Sequence, residues 1–387
     1  MKYLILIGDG MSGLPLKKLN NKTTLETAHT PNIDELLARG ITGLAQNVPA
    51  GLPPGSDVAS MSIFGYDPRK YYSGRAPLEA AAIGIKLNKN DVAFRCNLVT
   101  IKNEKMYDFT AGHISTKEAR RLIRKINKKL GNKRIKFYPG VSYRHLCVIR
   151  NGPLKTKCTP PHDITDQTIK KYLPRGVQSA LLNELMSASQ KILASEKTKA
   201  TQIWLWGQGK APRLTPITSK YKMSGAVITA VDLIKGLGRY AGLKPLNVPG
   251  VTGFLDTNYA GKAKAALNVL RKQNFVLIHV ESPDECGHMG RADLKIKAIE
   301  DFDGKIVKPI IQDLRKQNTD FRVLILPDHP TPIRTRTHSR EPVPFVYFDS
   351  RNPQRFCPKK YCEKTAKQSG LYIRNGHELL SKLYAGF

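Results

Sequence analysis

Acidic residues are scarce in this sequence. Only 31 Asp and Glu stand against 63 Lys and Arg, which leaves a formal net charge of +32 over 387 residues. Such a surplus suggests a polyanionic partner. Yet the chain lacks zinc-finger spacing, an RNP motif and any Arg-Gly tract, and its basic residues are spread along the whole length. The densest run, Lys117 to Lys136, places Ala119, Leu122, Ile123, Ile126 and Leu130 on one helical face and its charges on the other. A small anionic substrate or a general lysine bias accounts for the charge more simply than nucleic-acid binding. Cysteine is also sparse. The six (Cys96, Cys147, Cys158, Cys286, Cys357, Cys362) form no C-x-x-C pair and are too thinly spread for a disulfide scaffold, so reduced thiols are expected. No apolar stretch approaches 18 residues, and the first, in MKYLILIGDG, is broken at Asp9. That excludes a signal-peptide core and a membrane span, and a cytoplasmic protein is the expectation. The absence of G-x-x-x-x-G-K-[ST] speaks against a conventional ATP loop. No internal repeat and no long low-complexity linker are evident.

What is there is enough for a core. Hydrophobic residues make up 41% and charged residues 24%, and the length exceeds that of a usual single domain, so two domains or one large insertion are expected. Three short apolar runs, residues 3–7 (YLILI), 275–280 (FVLIHV) and 321–326 (FRVLIL), read as parallel strands covered on both faces. TPNIDELLARG predicts a helix with a cap at Thr30, Pro31 in the first turn and a stop at Gly40. A second amphipathic helix from Asp293 lies between the second and third runs and makes a strand–helix–strand crossover. The stretch from about 90 to 270, with DVAFRCNLVTI, KFYPGVSYRHLCVIR, TQIWLWG and GAVITAVDLIKGLGRYAGL, reads as a separate α/β unit. The expected division is 1–90 plus 270–387 for one domain and 91–269 for an inserted one.

Each apolar run ends in acid. The first leads to Asp9, the second to Asp284 and His288, the third to Asp328 and His329, with His338 following in RTHSREPVPF. Ligand crevices of open α/β sheets lie past the carboxyl ends of the strands. Asp is a common turn residue, and one such residue means little. Three in this position, two with a nearby His, suit divalent cations, because carboxylate and imidazole favour Zn and Mn, and carboxylate and water favour Mg and Mn. Asp284 and His288 share a turn, whereas the adjacent Asp328 and His329 diverge, an arrangement that fits two cations better than one. His279 reads as a core residue of its strand; His29 and His377 also stand outside the set.

One serine stands out. In LPPGSDVASMSIFGYDP, Ser56 sits at the start of a predicted helix after a stiff Pro-Pro-Gly loop. It is either a helix N-cap or a nucleophile, which two cations about 4 Å apart would activate for phosphoryl transfer with the helix N-terminus facing the anion.

GDGMSG, TPNIDELLARG, PPGSDVASMSIFGYDP, GRAPLEAAAIGI, DECGH, PDHPTP and RTHSREPVPF together resemble the cofactor-independent phosphoglycerate mutases of the archaeal type, within the alkaline phosphatase superfamily. The resemblance runs from Met1 to about Phe348. It implies an alkaline-phosphatase-like, mostly parallel sheet flanked by helices, carrying an inserted substrate-holding α/β domain. It also implies phosphorylation of Ser56, and two divalent cations (Mn, Mg, Co or Zn). Asp9, Ser56, Asp328 and His329 would hold one, and Asp284, His288 and His338 the other. No 2,3-bisphosphoglycerate is implied as cofactor. In the inserted part, Arg75, Arg95 and His113 resemble substrate contacts of related mutases. SYRHLCV and CTPPHDIT, with Arg144, His145, His162 and Asp163, look more like a bacterial branch proposed to be homoserine kinases. The expected reaction is interconversion of 3- and 2-phosphoglycerate, with a homoserine kinase as the alternative.

Overall fold

The structure is a computed structural model that describes residues 1–354 and 360–387. Cys357 lies outside the described residues; the other five cysteines are free thiols. Among the described residues thirteen strands are numbered in chain order. They are β1 (Lys2–Gly8), β2 (Ile41–Ala45), β3 (Asp91–Lys102), β4 (Lys105–Asp108), β5 (Ile135–Val141), β6 (Arg144–Arg150), β7 (Gln202–Gly209), β8 (Gly225–Ile228), β9 (Lys244–Leu246), β10 (Phe275–Val280), β11 (Phe321–Leu326), β12 (Val343–Asp349) and β13 (Tyr372–Ile373). The chain divides into two compact units, residues 1–72 with 213–387, and residues 73–212.

The first unit is built on an eight-stranded sheet in the order β13-β2-β12-β11-β1-β10-β8-β9. Only β12 runs against the rest. The three apolar runs are β1, β10 and β11, and they are neighbours, with β1 in parallel register between the other two. Every residue of β10 and β11 is buried, as is β1 from Leu4 onward. That is why these strands read as unbroken apolar runs rather than alternating ones. Helices Pro31–Ala38, Tyr259–Lys272, Ala292–Phe302 and Lys308–Lys316 supply apolar residues to the core cluster around them. Among the described residues no helix is long and apolar enough to cross a membrane.

Two local expectations change in tertiary context. The helix from Asp293 is not one regular helix. Residues Asp303–Val307 form a π-helical turn between Phe302 and Lys308, just before Pro309. A proline cannot donate to the ladder, and one wide turn absorbs the mismatch. Within that turn Asp303 accepts from the Ile33 N–H at 2.8 Å and from Asn32 Nδ2 at 2.6 Å. It thereby caps the helix Pro31–Ala38, at whose start Thr30 makes no side-chain cap.

The second unit holds an antiparallel sheet in which β3 lies between β6 and β7, with β5 beyond β6 and β4 on the far end of β3. Helices Thr116–Leu130 and Ser179–Leu193 contribute to its own core, which includes Phe94, Leu122, Ile126, Leu185 and Trp204. The boundaries differ from those expected. Residues 73–90 belong with this unit, and 213–269 belong with the first, because β8 pairs in parallel with β10 from Gly225↔Phe275 to Ile228↔Ile278. A four-residue strand gives no sign in sequence of which sheet it will join.

Leu6 is fully buried in the central strand. Leu6→Ala should lower unfolding free energy by about 3 kcal/mol, the usual cost of a large-to-small core change. Urea denaturation followed by circular dichroism measures it.

Candidate active site

Because β11, β1 and β10 are adjacent and parallel, their carboxyl ends deliver Asp328, Asp9 and Asp284 to one place. The turn after β1 depends on Gly10, whose φ is +59°. A Cβ there would lie 2.5 Å from Asp284 Oδ1 and 2.6 Å from Thr331 Oγ1, so only glycine lets the three loops close together. Asp328 Oδ1 accepts from the amides of Gly10 (3.1 Å) and His329 (2.9 Å), which turns Oδ2 toward the cluster. Thr331 Oγ1 donates to Asp284 Oδ1 and leaves Oδ2 facing His288 at 3.1 Å and His338 at 3.5 Å. Asp284 and His288 lie four apart on the short helix Ser282–His288, which gives them one face.

The adjacent Asp328 and His329 do not diverge, contrary to expectation. His329 Nε2 lies 3.4 Å from Asp328 Oδ2 and 3.6 Å from Asp9 Oδ1. Its ring stacks on His338 with centroids 4.0 Å apart. Ser56 is not a helix cap either. The helix Ser56–Ile63 starts from Gly55 as N-cap with no side-chain cap bond. Ser56 Oγ instead meets His329 Nε2 at 3.1 Å.

The electrostatics reflect three carboxylates in a dry place. Burial, and then the charges of Asp328 and Asp284, hold Asp9 well above the usual carboxylate range. Burial also pushes Asp284 upward, but hydrogen bonds from His288 and His338 outweigh it and hold it well below. Asp328 is depressed in the same way by His329 and His279 against its burial. Three groups of side chains offer ligand atoms within 4.8 Å of one another: Asp284, His288 and His338; Asp9, Asp284 and His329; Asp9, His279 and Asp328. Asp9 Oδ1, Asp328 Oδ2 and His279 Nε2 are buried without a hydrogen-bond partner. Unsatisfied oxygen and nitrogen donors in one dry spot fit a divalent cation.

His279, read from the sequence as a core residue, is fully buried and lies 3.4 Å from Asp9. The sequence signal was present, an imidazole two residues before Glu281 at a strand end, but burial within a strand hid it. Burial disfavours the charged ring, yet Asp328 and Glu281 raise its pKa to about 9. Two lysines underpin the site, both fully buried. Lys262 Nζ pairs with Glu281 at 2.7 Å. Lys295 Nζ donates to the carbonyls of Ser12 (2.9 Å) and Thr331 (2.8 Å), tying the β1 loop to the β11 loop; burial lowers its pKa to about 8.

The remaining candidates all lie in the second unit. Arg95 pairs with Glu79 at 3.1 Å and stacks over Trp206 at 4.2 Å. Burial lowers its pKa, and the charges of Arg75 and Arg144 act in the same direction. His162 packs edge-on against Trp206 and Phe109, at 5.3 and 6.0 Å, and its Nε2 is 3.4 Å from Asp163. Burial lowers the His162 pKa, with Arg95 and Arg75 contributing. Arg95 thus feels Arg75 and Arg144, and His162 feels Arg95 and Arg75. His113 is exposed on the loop after β4, with φ +52°. His145 departs from its expected role. It is buried, accepts the Gly140 N–H on Nδ1 at 2.9 Å, and burial pushes its pKa down to about 3. It is a neutral ring that closes the β5–β6 hairpin, and it drops out of the substrate candidates.

Glu281 shows how the buried charges depend on one another. Burial raises its pKa, but Lys262 and His279 more than offset this and hold it far below the usual range. Its stabilising contribution is therefore complete above the unfolded carboxylate range and fades as pH falls. Lys262→Met should destabilise the fold by about 3–5 kcal/mol at pH 7, since it strands a buried charge. The deficit should shrink toward pH 4, where Glu281 of the variant protonates readily. Thermal melts at both pH values check this.

Comparison with known proteins places this geometry in a family. Residues 38–199 match the family model described as 2,3-bisphosphoglycerate-independent phosphoglycerate mutase. A Methanosarcina barkeri protein of that name is 49% identical over 394 residues, covering 99% of each chain. A Geobacter sulfurreducens protein, named a probable mutase of the same kind, is 47% identical and covers 99% of each. A solved Pyrococcus horikoshii structure superposes with a TM-score of 0.83 at 29% identity, covering 99% of this chain and 96% of its own. The cofactor-independent phosphoglycerate mutase of Thermoplasma acidophilum shares the fold, with a TM-score of 0.68 at 24% identity and 99% coverage of each. With full-length relatives at nearly half identity and a matching family model, the chain belongs to the 2,3-bisphosphoglycerate-independent phosphoglycerate mutase family of enzymes.

Proposed function

We propose that this protein interconverts 3-phosphoglycerate and 2-phosphoglycerate through a phosphoserine at Ser56, in the course of glycolysis and gluconeogenesis. The observation that carries this reading is the placement of Ser56 Oγ 3.1 Å from His329 Nε2, beside the carboxylates of Asp9, Asp284 and Asp328. The names of the relatives favour a mutase over a homoserine kinase. Asp9, Ser56, Asp328 and His329 would hold one divalent cation, and Asp284, His288 and His338 a second. Bound there, the cations supply positive charge to the phosphoryl oxygens and acidity to the serine hydroxyl.

The residues of the chain do the rest. Ser56 Oγ attacks phosphorus as the bond to the glycerate oxygen breaks, and the glycerate leaves with that oxygen. The proton lost from Ser56 is taken up at the leaving oxygen. Burial lowers the pKa of His329 and keeps the ring neutral, the form a cation ligand needs. The return step transfers the phosphoryl group from Ser56 to the other glycerate hydroxyl, so atoms and charge balance without a second phosphate donor. Because Ser56 opens its helix, the positive end of the helix dipole lies beside the transferring anion. Arg75, Arg95, His113, Arg144 and His162 of the second unit serve as contacts for the glycerate, with the guanidinium groups suited to its carboxylate.

Ser56→Ala should keep its fold and lose turnover on the order of a million-fold, as nucleophile deletions do. Phosphorus NMR of 3-phosphoglycerate with the purified protein, without ATP, reads the product; a variant keeping a tenth of normal activity would remove the serine from the mechanism. Dialysis against a chelator should abolish activity, and Mn, Co, Zn or Mg should restore it to different degrees. Arg95→Ala should raise KM for 3-phosphoglycerate about tenfold, the effect expected for a lost bidentate contact.

A further inference from the structure

Tryptophan is rare in this chain. There are two, Trp204 and Trp206, and both lie on β7 of the second unit. Trp204 is fully buried and donates to the Thr159 carbonyl at 2.8 Å, an ordinary core position. Trp206 is used differently. It stands directly across from Arg95 in the register of β3 and β7, so the two side chains share a face of the sheet. The register shifts between Ala93 and Arg95, and such bulges re-aim side chains. The guanidinium carbon of Arg95 lies 4.2 Å from the centre of the indole. Indole Nε1 donates to Asn97 Oδ1 at 3.1 Å, which fixes the plane of the ring. His162 packs edge-on against it, with centres 5.3 Å apart. Beyond Trp206 the chain passes through Gly207 at φ +61°. A Cβ there would lie 3.3 Å from Arg95 Cδ, so glycine leaves room for the arginine arm.

These contacts hold the guanidinium without satisfying it. The Arg95 side chain is only 12% exposed, and its Nε lies 3.1 Å from Glu79 Oε2 yet has no hydrogen-bond partner. A nearly buried donor without an acceptor is costly, and an anionic ligand removes that cost. Stacking and hydrogen bonding also use different directions. The indole takes the flat face of the guanidinium, while the N–H donors point outward in its plane, in the fork that matches a carboxylate. An arginine on a flexible arm would have to give up rotamer freedom on meeting such a ligand; one already pinned to an aromatic face gives up less. We propose that Trp206 is a positioning and specificity residue for the mutase reaction. It holds Arg95 flat, so that the in-plane donors meet the carboxylate of the glycerate, and it thereby favours ligands with a carboxylate over phosphate esters that lack one. Trp206 itself touches no reacting atom and acts through Arg95. The inference rests on the reading of Arg95 as a glycerate contact.

Two measurements test this. The full chain, labelled with 5-fluorotryptophan and supplied with Mg, gives one fluorine resonance for each tryptophan, assigned with Trp204→Phe or Trp206→Leu. Adding 3-phosphoglycerate should shift the Trp206 resonance, and glycerol 3-phosphate, which lacks the carboxylate, should not. This readout needs no turnover and uses the unaltered protein. In kinetics, Trp206→Leu should raise KM for 3-phosphoglycerate about fivefold and change kcat less than about twofold, and Trp206→Phe should recover most of the loss. In an Arg95→Ala background Trp206→Leu should cost nothing further, because its effect passes through Arg95. A tryptophan that only packs the fold would lower kcat with the amount of folded enzyme, and its cost would add to that of Arg95→Ala. A Trp206 resonance unmoved by saturating 3-phosphoglycerate, an equal shift with glycerol 3-phosphate, or additive costs would each overturn the role of Trp206; wild-type turnover of 3-phosphoglycerate would then leave the mutase reading standing. A resonance that moves in a wild type unable to interconvert the phosphoglycerates would overturn the mutase reading and keep the carboxylate platform.

Discussion

Three carboxylates share the ends of three adjacent strands, and most of the first unit is arranged around that concentration of negative charge. Asp9, Asp284 and Asp328 are almost wholly buried, where an uncompensated carboxylate costs several kcal/mol. The compensation comes from imidazoles on two sides, from backbone amides on Asp328, and from a hydroxyl on Asp284. Buried ligand atoms remain without partners, an imbalance that a divalent cation would relieve. Ser56 meets this cluster through His329, whose Nε2 lies 3.1 Å from its Oγ.

Support for the cluster comes from behind. Lys262 and Lys295 sit on the helices before and after the chain's second apolar run in sequence; Lys262 reaches the end of that strand, and Lys295 the loops after β1 and β11. A buried ammonium is costly, so its presence beneath a strand-end loop is informative. Lys262 balances Glu281 and through it orients His279. Lys295 instead joins two backbone carbonyls, which keeps the loops after β1 and β11 at a constant separation. Part of the chain's large basic surplus is thus structural and has nothing to do with a polyanionic partner.

The second unit uses its charges differently. Arg95 is held between Glu79 and the face of Trp206, and His162 leans on the same tryptophan. A guanidinium fixed on an aromatic face loses little freedom when it meets a carboxylate. His145 shows the opposite outcome. It lies one residue from Arg144, yet the alternation of a β-strand sends its ring inward, where burial removes its charge.

Much of the site was legible in the sequence because its chemistry sits at strand ends, and strand ends show as the point where an apolar run meets Asp. The runs at residues 3–7, 275–280 and 321–326 appear as strands at those places, and their terminal acids converge. Unbroken apolar runs and a helical period between them settled the element types of the strand–helix–strand crossover. What periodicity could not reach was anything that depends on a neighbour distant in the chain. The cap of the helix Pro31–Ala38 comes from Asp303, some 270 residues away. Ser56 is released from capping only because Gly55 takes that position and His329 meets its hydroxyl. The unit boundary at 212/213 follows from β8 choosing β10 as its partner. His279 looked like any apolar-strand residue until folding set Asp9 and Asp328 on one side of its ring and Glu281 on the other. Local sequence determines which residues are apolar, polar or charged; only the packed sheet decides which charges must share a dry interior, because that cost is set by distance in space.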